Sequence, residues 1–256
     1  MNIIIPDTNT NPITAKNAAP SRSHRYGFIS TNEIVTAFDA YGYVPREIRY
    51  ANPRNEENKG FQKHLIRFGN RELSTINGEA SPEFVLINSH DGTSSAQLSL
   101  GMKVFACLNG IIVGDIIQTV KVYHRNADVS RFLEAAESLR ENVPVLSDRM
   151  AAFKAKELTP AATIQYMKDA LSLRYAKPSE DAPVEDRAEW ESKLWYINRA
   201  RRYSDSGANL WETFNRVQEN LLKGRKGSGI RRVSAPAVDV KLNKALWNLS
   251  EQYLLN

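Results

Sequence analysis

The chain has 256 residues, 42% of them hydrophobic and 25% charged, with a formal charge of +5. That length buries a sizeable core in one or two domains, and the composition excludes collagen, a continuous coiled coil and wholesale disorder. The single cysteine excludes an intrachain disulfide and a multi-cysteine metal site, and fits a reducing compartment. The apolar run from Ile111 to Ile117 is broken by Gly114 and Asp115 and is too short to span a bilayer, so no membrane association is expected. The opening MNIIIPDTNT has no basic segment ahead of its short apolar run and makes a poor signal peptide.

Residues 1–25 are rich in Asn, Thr, Pro and Ala and read as a flexible N-terminal arm. Thr31 is placed to cap a helix that buries Ile34, Val35 and Phe38, with Gly42 ending it. Val44, Arg46, Ile48 and Tyr50 then alternate along one side of a strand, and Phe61 to Phe68 is its partner, with Lys63 and Arg67 on one face. Residues 69–82 read as a polar surface loop. EFVLINS and AQLSLGMKVFACL are strands joined by a turn at Asp91-Gly92, with Gly101 a candidate break in the second; Asn109-Gly110 turns into IIVGDIIQTVKVY.

Beyond Asn126 the hydrophobic period changes from two to 3.6. Phe132, Leu133, Ala136, Leu139, Val143, Leu146, Met150 and Phe153 mark a long helix that Asn126 or Asp128 can cap and that Pro144 splits or kinks. Thr159-Pro160 opens another, lined by Ile164, Met167, Leu171 and Tyr175. After a linker at residues 176–186 come a helix with Trp190, Leu194 and Ile197, a compact helix from Leu210 to Leu222, the basic loop GRKGSGIRR, and a last helix with Val240, Leu242, Leu246, Leu249 and Tyr253. The expected fold is α+β: a flexible arm at 1–25, a mainly antiparallel sheet with one leading helix at 26–126, and a helical region at 127–256 with a basic loop at 223–232.

Charge is unevenly spread. Residues 1–128 hold 13 basic and 12 acidic side chains, against 21 and 17 in residues 129–256. Lys223 to Lys244 carries seven basic residues and one acid, and Lys193 to Arg202 four basic residues and none. A local cationic field of this kind suits phosphates. Arg199, Arg201, Arg202, Arg225, Lys226, Arg231 and Arg232 are the expected nucleic-acid contacts, with the glycines of GRKGSGIRR supplying flexibility; the bland alternative is a solvated connection between helices. That loop lacks the GxxxxGK[ST] phosphate-loop pattern. Basic and aromatic residues also alternate in YGYVPREIRY and LWYINRARRY, a pairing that serves base stacking on single strands or, equally, a core. The amides of ETFNRVQENLLK, including Asn215, Gln218 and Asn220, either reach nucleic acid or form a buried network, the second being favoured for Glu219 and Asn220.

His90, Asp91 and Cys107 are the nearest approach to a catalytic set. Cys107 lies in the apolar run VFACL, which favours a buried structural thiol, and Asp91-Gly92 is foremost a turn device, leaving His90 and Asp91 as a possible functional turn. Histidines 24, 64, 90 and 124 show no ligand-pair spacing, so no metal and no cofactor are expected, although folding can gather His90, His124 and Asp91.

Three stretches, residues 88–114, 120–139 and 208–253, resemble a phage- and plasmid-borne family filed as domain of unknown function 932. The matching residues include His90, Asp91 and Gly92; Asn109 and Gly110; His124 and Arg125; Asn215, Gln218, Glu219, Asn220 and Arg225; Arg231 and Arg232; and Lys241, Leu242, Asn243 and Trp247. The resemblance implies a mobile-element setting and a host-cytoplasm location, and brings no established chemistry. The order helix, antiparallel meander, long helix is also similar to that of phage single-strand annealing proteins, a fold-level analogy. Together these point to a nucleic-acid-binding accessory protein acting non-covalently on single-stranded DNA in replication or recombination, and to a homo-oligomer. The alternatives are a regulatory or anti-defence protein that binds a host protein, and an enzyme with a site near His90. The residues favour binding over catalysis.

Overall fold

The computed structural model describes residues 3, 5–8, 10–53, 55–70, 75–105, 110–112, 119–122, 124 and 128–255. Cys107, Asn109, Arg125, Asn126 and the 113–118 part of the last expected strand lie outside them. The architecture is α+β, with an antiparallel six-stranded sheet in the N-terminal half and helices in the C-terminal half. The chain divides into two compact units: residues 1–103, 110–143 and 234–237, and residues 104–109, 144–233 and 238–256. The boundary therefore falls after the first helix of the expected helical region rather than before it.

In the first unit, α1 (Thr31–Ala40) precedes β1 (Tyr43–Tyr50), β2 (His64–Asn70), β3 (Ala80–Asn88), β4 (Ala96–Val104), β5 (Gly110–Ile112) and β6 (Val120–Val122), and α2 (Ser130–Arg140) follows. The sheet runs β1-β2-β3-β4-β5, and β6 also pairs with β4. β4 is thus paired twice along one edge, by β6 at Ala96–Leu98 and by β5 at Gly101–Lys103. Gly101 does not break the strand. A Cβ there would lie 2.5 Å from the Ile111 carbonyl oxygen, so glycine is what lets β5 close on β4.

Several expectations are corrected by local chemistry. The α1 cap is Ser30, whose hydroxyl accepts from Glu33 N at 3.2 Å, and Thr31 turns inward instead. The alternation expected for β1 fails at Arg46, where the register shifts between Pro45 and Glu47. Proline offers no N–H to the ladder, and the extra residue bulges out. Arg67, read as part of a basic strand face, is buried: it meets Glu83 and Glu47 at 3.5 Å each, and its Nη2 donates to the Gly110 carbonyl at 3.1 Å. The stretch read as a loop at 69–82 contains the end of β2, the start of β3 and a tight turn at Asn77-Gly78, with φ of 49° and 72°, over which Ile76 bridges Ala80.

The expected arm is anchored between residues 11 and 19, while residues 20–25 are exposed. Asn11 starts a short 3-10 turn by accepting from Ile13 N at 3.1 Å, Ile13 and Ala19 are buried, and Ala19 N donates to the His90 carbonyl at 2.9 Å. These two apolar residues in a polar stretch hold the segment down. The core of this unit is aromatic: the Phe38 ring lies 4.9 Å from that of Phe68, and Tyr43 4.9 Å from Phe84.

The second unit is helical, with α3 (Val143–Ala155, whose first residue belongs to the first unit), α4 (Pro160–Ser172), α5 (Val184–Ile197), α6 (Leu210–Lys223) and α7 (Pro236–Leu255, counted here from Val238). Pro144 splits the long helix expected from Phe132 to Phe153 into α2 and α3. Thr159 caps α4, accepting from Ala162 N at 3.2 Å, with Pro160 at its first position. Met167 and Leu171 are buried as expected, whereas Ile164 is exposed. Phe153, Phe214 and Trp247 make the core, with ring centroids 5.1 Å apart for Phe153–Trp247 and 5.9 Å for Phe214–Trp247.

Candidate nucleic-acid interface

The basic surface of the second unit is built on α6. An amphipathic helix buries one apolar stripe, but here the polar side is buried as well: Asn215, Arg216, Gln218, Glu219 and Asn220 are all covered. All but Asn215, which bonds within α6 itself, hold a neighbouring segment. Arg216 donates to Asn198 Oδ1 at 2.9 Å, to the carbonyls of Asp205 and Gly207 at 2.9 and 2.7 Å, and to Thr213 Oγ1 at 3.1 Å. Asn220 Nδ2 donates to the Ile197 and Arg199 carbonyls at 3.1 and 2.9 Å. Asn215 donates to the Trp211 carbonyl at 2.8 Å, within α6, and Gln218 donates to Asn243 Oδ1 at 2.7 Å. The α6 amides are therefore a packing network.

The seven expected contact residues divide into two kinds. Arg201 donates to Asn220 Oδ1 at 2.9 Å and to the Gly224 carbonyl, and Arg202 pairs with Asp205 at 2.8 Å and with Glu219. Glu219 also takes Lys223 at 2.8 Å. Burial alone would raise the Glu219 carboxyl, yet Arg202 and Lys223 outweigh it and hold the pKa below the usual range. Burial pulls the Arg201 pKa down; Glu219 opposes this, and Arg225 and Arg202 add to it. By contrast Arg199, Lys226, Arg231 and Arg232 are exposed, and Arg225 is half-buried. Among the described residues none of these five forms a salt bridge, while Glu189, Asp205 and Glu219 are already engaged by Lys193, Arg202 and Lys223. Glu219 is thus not a partner for Arg231 or Arg232.

The loop that carries the exposed cations is folded. Gly224, Gly227 and Gly229 have φ of 64°, 80° and 69°, and a Cβ on Gly224 would overlap the Ile230 carbonyl. These glycines supply left-handed turns that other residues resist. Ser228 Oγ donates to the Arg225 carbonyl at 2.6 Å and accepts from Ile230 N at 3.0 Å, and Val233 N returns to the Leu222 carbonyl at 2.7 Å. Arg174, on the turn after α4, donates to the Leu221 carbonyl and, at 2.6 Å, to that of Arg231. The loop also runs along α5: a Cβ on Gly227 would sit 3.6 Å from the Tyr196 hydroxyl, and one on Gly229 3.5 Å from Lys193 Nζ.

That face of α5 is aromatic. Trp195 is 58% exposed, with the Arg199 guanidinium 4.5 Å from its ring centroid and Tyr196 edge-on at 5.0 Å. Tyr203, beside Arg202, is 96% exposed. The other expected aromatic–basic cluster is divided: Tyr43 is in the core and Arg49 pairs with Glu47 at 2.6 Å, while Tyr41, Arg46 and Tyr50 are exposed.

The turn at His90-Asp91 belongs to the first unit. Asp91 Oδ1 accepts from Thr93 N at 3.0 Å and Thr93 Oγ1 at 2.6 Å, and Gly92 has a φ of 73°. His90 is sealed, at zero exposure, in a cluster that sequence reading missed. His64 Nδ1 donates to the Gln62 carbonyl at 3.0 Å, which leaves its Nε2 to accept from Thr31 Oγ1 at 2.8 Å. The same hydroxyl accepts from Asn88 Nδ2 at 2.9 Å and lies 3.3 Å from His90 Nε2. Burial pushes His64 down to about 4 and His90 to about 3, the neighbouring imidazole adding to the second shift. His124 stacks on Tyr26 at 4.6 Å, and its Nδ1 donates to the Gly27 carbonyl at 3.1 Å. A cavity of about 460 Å³ beside the turn is lined by Asp91, Thr93, Gln62 and Lys63 but by none of these imidazoles. Among the described residues no three His, Cys, Asp or Glu side chains form a metal-ligand group, and no described helix is long and apolar enough to cross a membrane. His64 and Thr31 carry no motif. The one available signal was that Thr31 follows another capping residue, Ser30.

Residues 19–247 match the family described as domain of unknown function (DUF932). Two proteins of Escherichia coli (strain K12) are similar: UPF0380 protein YfjQ, 33% identical over 245 residues, and UPF0380 protein YafZ, 33% identical over 242 residues. Each alignment covers 91% of this chain and 84% of the relative. No solved structure matches. With a family match along nearly its whole length and these two relatives, the chain belongs to the DUF932 family.

Proposed function

We propose that this protein is a nucleic-acid-binding accessory protein of a phage or plasmid, acting non-covalently on single-stranded DNA in replication or recombination. The observation that carries this reading is the charge arrangement of the second unit. The acids Glu189, Asp205 and Glu219 are consumed by Lys193, Arg202 and Lys223, while Arg199, Lys226, Arg231 and Arg232 stand exposed without a salt bridge among the described residues. Exposed cations in this number attract a polyanion, and a phosphate backbone is the polyanion whose spacing a short loop can follow. Arg201 and Arg202 have a supporting part here, as they brace the loop and the 198–207 segment. His90, shut away and held neutral, serves the fold in this reading and not a reaction. The mobile-element setting rests on the family resemblance. A host-cytoplasm location and self-association along a strand accord with it.

The test is the triple variant Lys226→Ala, Arg231→Ala, Arg232→Ala. Each lost contact to a single strand lowers the salt slope by roughly 0.7, so the slope of log affinity against log salt falls by about two if all three touch phosphate. Absence of wild-type binding to single-stranded DNA, duplex DNA and RNA at low salt overturns the reading. A second reading, an interface for a host protein, is favoured by the exposure of Trp195 and Tyr203 beside arginines, residue types that anchor protein contacts. Its binding would depend only weakly on salt.

A further inference from the structure

We propose that Trp195 is a platform on which one unpaired base stacks, so that this face distinguishes a single strand from a duplex; the inference rests on the nucleic-acid reading above. Of the four tryptophans in the chain, Trp190, Trp211 and Trp247 are 7%, 4% and 0% exposed, and only Trp195 is open to solvent, at 58%. It lies on α5 away from Trp190, Lys193 and Ile197, which turn inward. A large apolar ring left in water on a structured helix is an unspent source of binding energy.

The ring is also held in place. Arg199, one turn further along, lays its guanidinium over the indole at 4.5 Å, and Tyr196 meets it edge-on at an interplanar angle of 81°. The pair offers an aromatic surface and a cation in one place, matching a nucleotide's base and phosphate. Tyr196 also ties the platform to the basic loop, because its hydroxyl faces Gly227. Phosphates flanking a base on Trp195 would therefore meet the Lys226 side of the loop. In a duplex each base is already stacked and paired within the helix, so the indole gains nothing unless the strands open. In a single strand the base is available at little cost. Every base has a stacking face, so the preference is for unpaired over paired nucleic acid and is indifferent to sequence.

The test uses the full chain with fluorescently labelled oligo-dT and a hairpin duplex of equal charge. Trp195→Ala should weaken oligo-dT binding by roughly five- to 150-fold while leaving duplex affinity and the salt slope unchanged, and Trp195→Phe should keep most of the oligo-dT affinity. In the wild type, acrylamide should quench the fluorescence of Trp195, and oligo-dT should protect it. If the wild type binds oligo-dT and Trp195→Ala binds it equally well, with no protection from acrylamide, the platform is refuted and the phosphate-binding reading survives. If the wild type binds neither probe, the nucleic-acid reading fails and the platform with it. Should the alanine variant misfold, Trp195→Phe and the acrylamide measurement on the wild type decide the matter.

Discussion

Around Thr31 a hydroxyl, an amide and two imidazoles exchange neutral hydrogen bonds with no exposure to water, whereas around Arg216 and Glu219 the second unit buries full charges and ties them to carbonyls and to charged partners nearer the surface. Both clusters join segments distant in sequence. The neutral one keeps its histidines uncharged by burial, and so loses its partners when protons are added. The charged one is insensitive to protons near neutrality, but depends on every charge keeping its counterpart. Uncharged polar packing makes a sealed junction. Charged packing makes a junction that can stop at the surface with cations left over.

The sharpest way to break this contrast is Arg216→Ala. It leaves the Asp205 and Gly207 carbonyls and Asn198 without their donor, and each lost charged hydrogen bond costs about 1.5–3 kcal/mol. A destabilisation of about 3–5 kcal/mol is expected in urea unfolding. A loss under about 1 kcal/mol would mean that the charged network is decorative.

Acid should strike the other cluster. The folded-state pKa values of His64 and His90, about 4 and about 3, lie below the unfolded value of about 6.5. The unfolded chain then binds more protons than the native one, so the stability from keeping these rings neutral is complete above pH ~6.5 and drains away as the pH falls toward 4. For His64 alone the loss is on the order of 3 kcal/mol. Unfolding free energies measured between pH 7 and 4, with His64→Gln flattening the profile, check this; a profile unchanged by that substitution would assign the acid response elsewhere.

The smallest effect is expected at the exposed cations. Replacing Lys226, Arg231 and Arg232 by alanine should change stability by less than about 0.5 kcal/mol, as judged by thermal melts, because those side chains are exposed and form no salt bridge among the described residues. A larger loss would move them into the charged network.

How much of this was legible in the sequence depended on whether the signal was local. Thr159-Pro160 and Asp91-Gly92 state their turns within two residues, and both form as read. Ser30 and Thr31 are equally competent caps, and only the imidazoles brought near by β2 and β3 decide which of them turns inward. Pro45 was the available sign of a break in the ladder, and the alternation was read straight through it. Asn77-Gly78 was a turn signal hidden in a polar stretch. The polar side of α6 left two readings open, a nucleic-acid face or a buried network, with burial favoured for Glu219 and Asn220; the side is buried because the 198–207 segment and α7 lie against it, and those partners could not be read from α6 alone. The cations at 199 and 226–232 were visible as composition, but their separation from Arg201 and Arg202 needed the counterions of those two to be located.

Gly224, Gly227 and Gly229 bear on the entropy of recognition. Glycines between basic residues suggest a cord that wraps its ligand, which would have to surrender its freedom on binding. Here the left-handed turns, the Ser228 clasp and the Arg174 tether have already spent that freedom during folding. A polyanion that met this loop would order only side-chain ends, because the backbone is already a finished mould.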